Sequence, residues 1–430
     1  MFDRLRERPV LTAFLLGLAA QILFLVHLGH PAVLMFDEQH YVPAARVLLS
    51  LDHPVNREHP LLAKEIIAAG IALLGDNPLG WRLFSTLSGA ATVACVYAIL
   101  FQLCREWSTA VAGALFTLWN QMVFVQARIA MLDGFLGLFL TASVAAMLWA
   151  MHGPDGGAVK RRLALTGLLL GLGVAVKWAA VPYVACAGAA LLFLRARDVH
   201  RAGRPWRDAV SAQRQRLWTD THAITALLIV GLVSIATYFA TFAPAFFYAH
   251  DAMTFAQLIP FQFEMWALQT QILPAHPYQS DWWSWPLILR PIWYFYAPNN
   301  GAWRGVLLIG NPAILWGGIV AVAACLIQWW RSGNGPALGA AGLWIGSLAI
   351  WAIIPKSLGF FYYYYPSAIF LSIALALALR PLAGKRGHRF RTGFMLLSAA
   401  LFVYFYPILS AMPLDGERAF TRWIWFRGWI

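Results

Sequence analysis

Charge is what this chain has least of. Only 12% of its 430 residues are Asp, Glu, Lys or Arg, about half the share usual in soluble globular domains, which excludes a water-facing surface wrapped around one core. Acidic residues are scarcer still, 19 against 32 Lys and Arg. Of the four cysteines, Cys95, Cys104, Cys186 and Cys325 each stand alone in apolar surroundings, with no C-x-x-C spacing and no histidine close by. That pattern supports neither a disulfide framework nor a zinc site, and reads most simply as core packing. There is no internal repeat, no low-complexity tract and no Gly/Ser linker, so residues 1–430 read as a single domain.

What is present is apolar length. The chain is 60% hydrophobic, and eleven runs approach the span of a bilayer: 10–29, 83–103, 109–126, 132–151, 162–176, 178–194, 222–243, 305–330, 337–354, 360–380 and 393–412. A crossing helix needs about 20 such residues. Lys177 and Trp178 split one apolar stretch into two short halves. The first run is long, lacks a small-residue cleavage site and leads into a polar loop, so it is expected to be a retained helix and not a signal peptide.

The net charge of +13 would suit nucleic acid, but its placement argues otherwise. Basic clusters fall at Arg4, Arg6 and Arg8, at Lys160 to Arg162, in seven arginines between Arg195 and Arg216, and at Arg380, Lys385, Arg386, Arg389 and Arg391. Threading eleven helices from a cytoplasmic N-terminus puts every cluster on one side, as the positive-inside rule requires. With Arg105 and Arg331, that side holds 20 of the 32 basic and 7 of the 19 acidic residues. The excess is therefore an orientation signal, and no nucleic-acid partner is expected. The loop 195–220 reads as a basic cytoplasmic connector that touches anionic lipid.

The opposite face is charge-balanced, and chemistry is expected there. It carries a first outer loop, 30–82, and a Trp-rich outer loop, 244–304, with Trp266, Trp282, Trp283, Trp285, Trp293 and Trp303. Such a loop suits interfacial helices, because an indole has an apolar body and a polar N–H. The expected location is the inner (cytoplasmic) cell membrane, crossed many times, with the site on the extracytoplasmic side.

Three clusters there carry titratable groups. Met35-Phe36-Asp37-Glu38-Gln39-His40-Tyr41 opens a segment of helical spacing. Adjacent carboxylates on a helix point about 100° apart, so one of Asp37 and Glu38 can face a cavity while the other pairs with a cation. The second cluster, Asn56 to Glu65, places Pro60 in the first turn of a helix, with His59 and Lys64 at the membrane edge. The third, Arg128-Ile129-Ala130-Met131-Leu132-Asp133, lies between two apolar runs, where charges are expensive and mark function or an internal ion pair. Lys177-Trp178 and Lys356 lie at further helix junctions. The run Tyr362 to Tyr365 reads as an aromatic belt at the interface.

Lys64, Arg128, Lys177, Arg290 and Lys356 thus lie near helix ends on one face, beside the acidic pair. Transfer of a glycosyl group from a lipid phosphate fits this set. The leaving phosphate needs cations, and the acceptor hydroxyl needs one carboxylate as base. Displacement in one step inverts the anomeric centre, whereas a retaining hydrolase needs two carboxylates facing each other across the bond. Spacing alone does not say which of Asp37 and Glu38 is the base.

These residues resemble the protein O-mannosyltransferases of the GT-C superfamily, in their compact bacterial form. The likeness runs through Phe36-Asp37-Glu38 with His40 and Tyr41, and through His59-Pro60-Leu61-Leu62-Ala63-Lys64, which is similar to H-P-P-x-x-K. It continues in Asn77-Pro78-Leu79-Gly80-Trp81-Arg82, Arg128 to Asp133, Lys177-Trp178, His276-Pro277-Tyr278, Ser280, Trp282 to Pro286, Arg290-Pro291 and Arg422 to Phe426. The resemblance implies an all-α, polytopic GT-C fold of about eleven transmembrane helices and a polyprenyl or dolichyl phosphomannose donor. Asp37 matches the catalytic acidic residue, and Glu38, Arg128 and Asp133 shape the site. Lys64, Arg128, Lys177, Arg290 and Lys356 are then expected at the donor phosphate, and His40, Tyr41, His59, Asp133, His276 and Trp283 around the site or the acceptor. The chain departs from the pattern at Leu61, where the family has a second proline, and in having no MIR-type β-trefoil within 244–304.

The matched motifs require no metal or other cofactor and leave open a divalent ion held through Glu65 or His59. The expected partners are a polyprenyl-phosphate sugar, a protein hydroxyl acceptor and membrane lipid. One rival reading is a transferase that places the same type of donor sugar on lipid A or another envelope glycan, as aminoarabinose transferases do. A rival of another class is a lipid-linked sugar flippase, although the inverted repeats and broken midplane helices of transporters are not evident.

Overall fold

The computed structural model describes residues 5–430, so Arg4 of the first basic cluster lies outside the described residues. Its helices are α1 (Pro9–Leu25), α2 (Glu38–Ser50), α3 (Leu62–Leu74), α4 (Pro78–Cys104), α5 (Trp107–Leu118), α6 (Gln121–Gln126), α7 (Leu132–Met151) and α8 (Gly156–Val176). They continue as α9 (Val181–Arg201), α10 (Ala223–Ala240), α11 (Leu258–Thr270), α12 (Pro312–Ser332), α13 (Gly335–Ala349), α14 (Tyr365–Leu379) and α15 (Gly384–Leu409). Among the described residues, eight helical stretches are long and apolar enough to cross a membrane: Pro78–Cys104, Leu132–Met151, Trp178–Arg201, Ala223–Phe247, Pro312–Ser332, Gly335–Ala352, Phe361–Leu379 and Gly384–Leu409. The runs at 10–29 and 109–126 become the shorter apolar helices α1 and α5, the second ended by the break before α6. The run at 162–176 forms the last part of α8, whose first turns carry Lys160, Arg161 and Arg162.

Exposed apolar side chains recur at helical spacing, as in Val10, Phe14, Leu18 and Ile22 of α1 and Ile224, Leu228, Leu232 and Ile235 of α10. Stripes of this kind belong in hydrocarbon, not water. The inward faces pack around α14, where every residue from Tyr365 to Leu377 is buried. Small residues allow the closest approaches. A Cβ on Gly137 of α7 would stand 2.3 Å from the Tyr365 ring, so the α7–α14 contact depends on glycine there.

A two-stranded antiparallel sheet adds to the helical expectation. β1 (Ile292–Asn299) pairs with β2 (Ala302–Leu308) through the two-residue turn Asn300-Gly301. Both turn residues have positive φ, 51° and 76°, as a type I′ hairpin demands. The span expected from 305 therefore starts later, at Pro312, because 302–308 are committed to the sheet. The hairpin is held by the C-terminal segment. Leu414 N donates to Trp303 O (2.8 Å), Tyr296 Oη to Glu417 O (2.8 Å) and Trp293 Nε1 to Trp429 O (3.2 Å).

The connections sort to two ends. At one end Arg380 pairs with Glu106 (2.7 Å) and Trp218 N donates to Met151 O (3.0 Å), which gathers the basic clusters. At the other, Ala249 N donates to Leu51 O (2.7 Å), Arg57 pairs with Glu264 (2.8 Å) and Ala130 N donates to Glu38 (2.9 Å). Segments 30–82, 127–133 and 244–304 therefore meet there.

Candidate active site

The site is built where α2 begins. Phe36 is left-handed, φ 47°, and its ring is clamped by stacking on Tyr294 (4.5 Å between centroids) and edge-on by Tyr362 (5.9 Å). Such backbone strain amounts to roughly 1–3 kcal/mol and collects at functional sites. Asp37 follows at the N-cap of α2, yet its carboxylate makes no capping hydrogen bond.

The two carboxylates diverge, as the 100° step requires. Glu38 is fully buried. Its Oε1 accepts from Arg82 Nε (2.8 Å) and Ala130 N (2.9 Å), and its Oε2 from Arg82 Nη2 (2.8 Å) and Met35 N (3.1 Å). Both oxygens are therefore doubly occupied. Arg82 also donates to the carbonyls of Leu28 (3.2 Å), Pro31 and Val33 (both 2.9 Å), so the pair ties α4, the chain before α2 and the 127–131 connection together.

Asp37 is half-buried, and its pKa is raised to about 6. Burial is the main cause, and Asp133 adds to it against the opposing pull of His40, Lys177 and a hydrogen bond from Tyr362. A carboxylate poised near neutrality suits general-base work. His40 stands exposed beside it. Tyr41, one turn along α2, is buried and meets His59 edge-on at 6.0 Å. Burial, followed by Lys177, Lys356 and Lys64, holds His59 well below the ordinary imidazole range. Its Nδ1 is buried without a hydrogen-bond partner in the protein.

Next to Asp37 lies a second buried ion pair, Lys177 Nζ to Asp133 at 2.9 and 3.1 Å. The Lys177 ammonium sits over the rings of Tyr363 (4.6 Å) and Tyr362 (5.2 Å). It also lines a cavity of about 760 Å³ whose walls include Val174, Pro182, Ile235, Phe239, Trp266 and Trp351, with Lys356 as the other cation. Burial, and then the positive charge of Lys177, brings the Lys356 pKa down to about 8. Two neighbouring cations in a mostly apolar cavity make a place for an anion carrying an apolar tail.

The remaining expected cations are occupied by backbone. Lys64 is buried and donates to the carbonyls of Asn56 (2.7 Å), His59 (2.9 Å) and Val55 (3.4 Å), with burial pulling its pKa to about 7. Arg128 Nη1 donates to Phe24 O and Val26 O, both at 2.6 Å, which closes the C-terminal end of α1. Arg290 donates to Pro277 O at 2.8 and 3.1 Å and reaches Gly428 O and Ile430 O at 3.4 Å. His276 is exposed and meets Phe360 (5.2 Å), which in turn stacks on Tyr362 (5.5 Å). Trp283 is 55% exposed, whereas Trp285 is buried against Trp351 and Tyr363.

Four residues that the sequence reading left out of the site belong to its geometry: Arg82, Tyr294, Tyr362 and Tyr363. Arg82 had a signal, an arginine four residues into an apolar helix that Asn77 caps, which must find a buried partner. Tyr362 to Tyr365 are all buried, so they form no interfacial belt. Among the described residues no three His, Cys, Asp or Glu side chains gather as a metal-ligand group, and His59 and Glu65 have no third ligand of those types.

Residues 73–250 match the family described as dolichyl-phosphate-mannose-protein mannosyltransferase, and residues 254–333 match the C-terminal four TMM region of protein-O-mannosyltransferase. The polyprenol-phosphate-mannose–protein mannosyltransferase of Mycobacterium tuberculosis is 28% identical over 499 residues, covering 99% of this chain and 92% of that one. In fold, the chain is similar to the S. cerevisiae protein O-mannosyltransferase Pmt1–Pmt2 complex bound to the sugar donor. That likeness has TM-score 0.78 and 15% identity over 97% of this chain and 93% of that chain. It is also similar to ArnT from Cupriavidus metallidurans bound to undecaprenyl phosphate, with TM-score 0.59 and 17% identity over 92% and 64% of the two chains. The two family matches and the full-length relative agree with the motifs around Asp37, and the chain belongs to the protein O-mannosyltransferase family.

Proposed function

We propose that this membrane enzyme transfers mannose from a polyprenyl-phosphate carrier to Ser or Thr hydroxyls of proteins, with inversion at the anomeric carbon. The observation that carries the reading is the juxtaposition of Asp37 with Lys177 and the cavity that Lys177 and Lys356 share. The carrier's isoprenoid chain lies along the apolar walls, and its phosphate meets the two lysines. Asp37 takes the proton of the acceptor hydroxyl as that oxygen bonds to the sugar carbon. The carbon–oxygen bond to the phosphate breaks, and the negative charge left on the phosphate is held by the lysines. Asp133 fixes Lys177 in place. Glu38 and Arg82 form the frame that aims the α2 N-terminus, with Lys64, Arg128 and Arg290 pinning the surrounding backbone.

In this reading the whole chain is one GT-C transmembrane domain in the cytoplasmic membrane. Eleven crossings follow if α1, the α5–α6 pair and α8 join the eight longer spans. The end bearing the basic clusters is cytoplasmic, and Asp37 works on the extracytoplasmic side. The test is transfer by the purified protein in nanodiscs, offered polyprenyl phosphates bearing different sugars together with a Ser/Thr peptide and lipid A. Mannose label on the peptide is expected. Label on lipid A alone would select the envelope-glycan reading, and label on neither would overturn both.

A further inference from the structure

A second cavity, of about 520 Å³, opens at the same end of the molecule. Helix α11 stands between the two. Gln262, Trp266, Gln269 and Thr270 line the lysine-bearing cavity, whereas Gln257, just ahead of the helix, and Pro260, Phe261 and Glu264 line the second. At 100° per residue these sets fall on opposite sides of one helix. The helix is tied on both sides, by Arg57–Glu264 (2.8 Å) towards the second cavity and by Gln262 with the Tyr238 hydroxyl towards the first.

The two cavities differ in chemistry. The first suits an isoprenoid chain. The second mixes apolar walls such as Phe242 and Met253 with the charged groups Arg57, Asp251 and Glu264, and burying acyl chains against charge is unfavourable. A polypeptide, with polar backbone and mixed side chains, matches such a lining. Charge at its mouth is also one-sided. Arg57 and Glu264 neutralise each other, Lys64 is turned onto three carbonyls, and Asp251 is exposed with no ion pair among the described residues. The His59 side of the cavity borders the helix that begins at the proposed base. His59 lines the cavity with its unpartnered Nδ1, its ring meets Tyr41, and Tyr41 N bonds Asp37 O one helical turn away (3.2 Å).

We infer that this second cavity receives the polypeptide acceptor, with α11 as the wall separating it from the donor lipid and Asp251 favouring a basic side chain near the Ser or Thr. The inference rests on the proposed transfer to protein hydroxyls. Asp37 then lies between donor and acceptor, as single-step inversion needs.

The test places the photoreactive residue p-benzoylphenylalanine at Gln257 or at Trp266 of the full chain in nanodiscs. Each variant is offered a Lys-flanked Ser/Thr peptide and polyprenyl-phosphate mannose. Crosslinking of peptide from 257 and of lipid from 266 is expected. Peptide captured from 266, or lipid from 257, overturns the assignment, as does no peptide capture from 257 by a protein that glycosylates the peptide. Crosslinking reads binding without turnover, so peptide capture by the 257 variant alongside a wild type that transfers nothing counts against the transferase reading and not against the cavity. For the charge, Asp251→Lys is expected to raise the KM of the Lys-flanked peptide roughly three- to tenfold with the donor KM unchanged. An unchanged peptide KM removes Asp251 from the acceptor site.

Discussion

Glu38 and Arg82 face each other in the interior through two hydrogen bonds of 2.8 Å, both side chains fully buried and 44 residues apart in the chain. Removing one partner strands the other charge, which costs about 3–5 kcal/mol in comparable buried pairs. Arg82→Ala and Glu38→Ala are therefore expected to lower the Tm in detergent sharply, and the double replacement Glu38→Met with Arg82→Leu to regain part of the loss. Normal thermal stability of Glu38→Ala together with lost turnover would move the base role from Asp37 to Glu38.

Asp37→Asn preserves size and polarity but cannot accept a proton. Turnover should fall about 100-fold to 10,000-fold while donor affinity stays near wild type. Normal turnover in this variant would remove Asp37 from the mechanism.

The pH profile follows from the same carboxylate. The base must be ionised, and burial raises its pKa to about 6. In the wild type kcat/KM should therefore decline as pH falls through 6, well above the ordinary Asp range near 4. A flat profile down to pH 5 would show that no group with this pKa limits the reaction.

Four of the five basic residues divide into two groups. Lys177→Ala and Lys356→Ala should each weaken donor binding by about 1.5–3 kcal/mol, the worth of a charge-assisted contact, and Lys177→Ala should lower the Tm as well because it strands the buried Asp133. Lys64→Met and Arg128→Ala should lower thermal stability instead, because each leaves buried carbonyls without donors. Donor titration beside thermal melts separates the groups, and a raised donor Kd with an unchanged Tm in Lys64→Met would return that lysine to the phosphate.

Topology has its own check. In a chain freed of its four cysteines, Trp283→Cys should react with an impermeant maleimide added to intact cells, and Pro205→Cys only after permeabilisation. The reverse pattern would invert the orientation.

Much of this was legible because membrane helices declare themselves by apolar length, and because neighbouring carboxylates on a helix cannot point the same way. Which way each points was not legible, since the deciding partner of Glu38 lies 44 residues further on. Residue type also says less than direction: Lys64 and Arg128 look like anion ligands in a list of cations but are turned onto backbone carbonyls. Tyr362 to Tyr365 read as a belt because aromatic rows at helix ends usually face lipid, and only the packing of α14 shows them buried. The hairpin did have a signal. Asn300-Gly301 between runs rich in aromatic and branched residues marks a type I′ turn, but the apolar stretch after Gly305 masked it as the start of a span.

A wall between two cavities also bears on traffic. With α11 between them, neither ligand need pass through the other's compartment. The spent carrier phosphate can withdraw sideways into the bilayer while the modified polypeptide leaves through the Asp251 mouth. Release of one product then need not wait for the other, and steady-state rates should show no obligatory order of substrate addition.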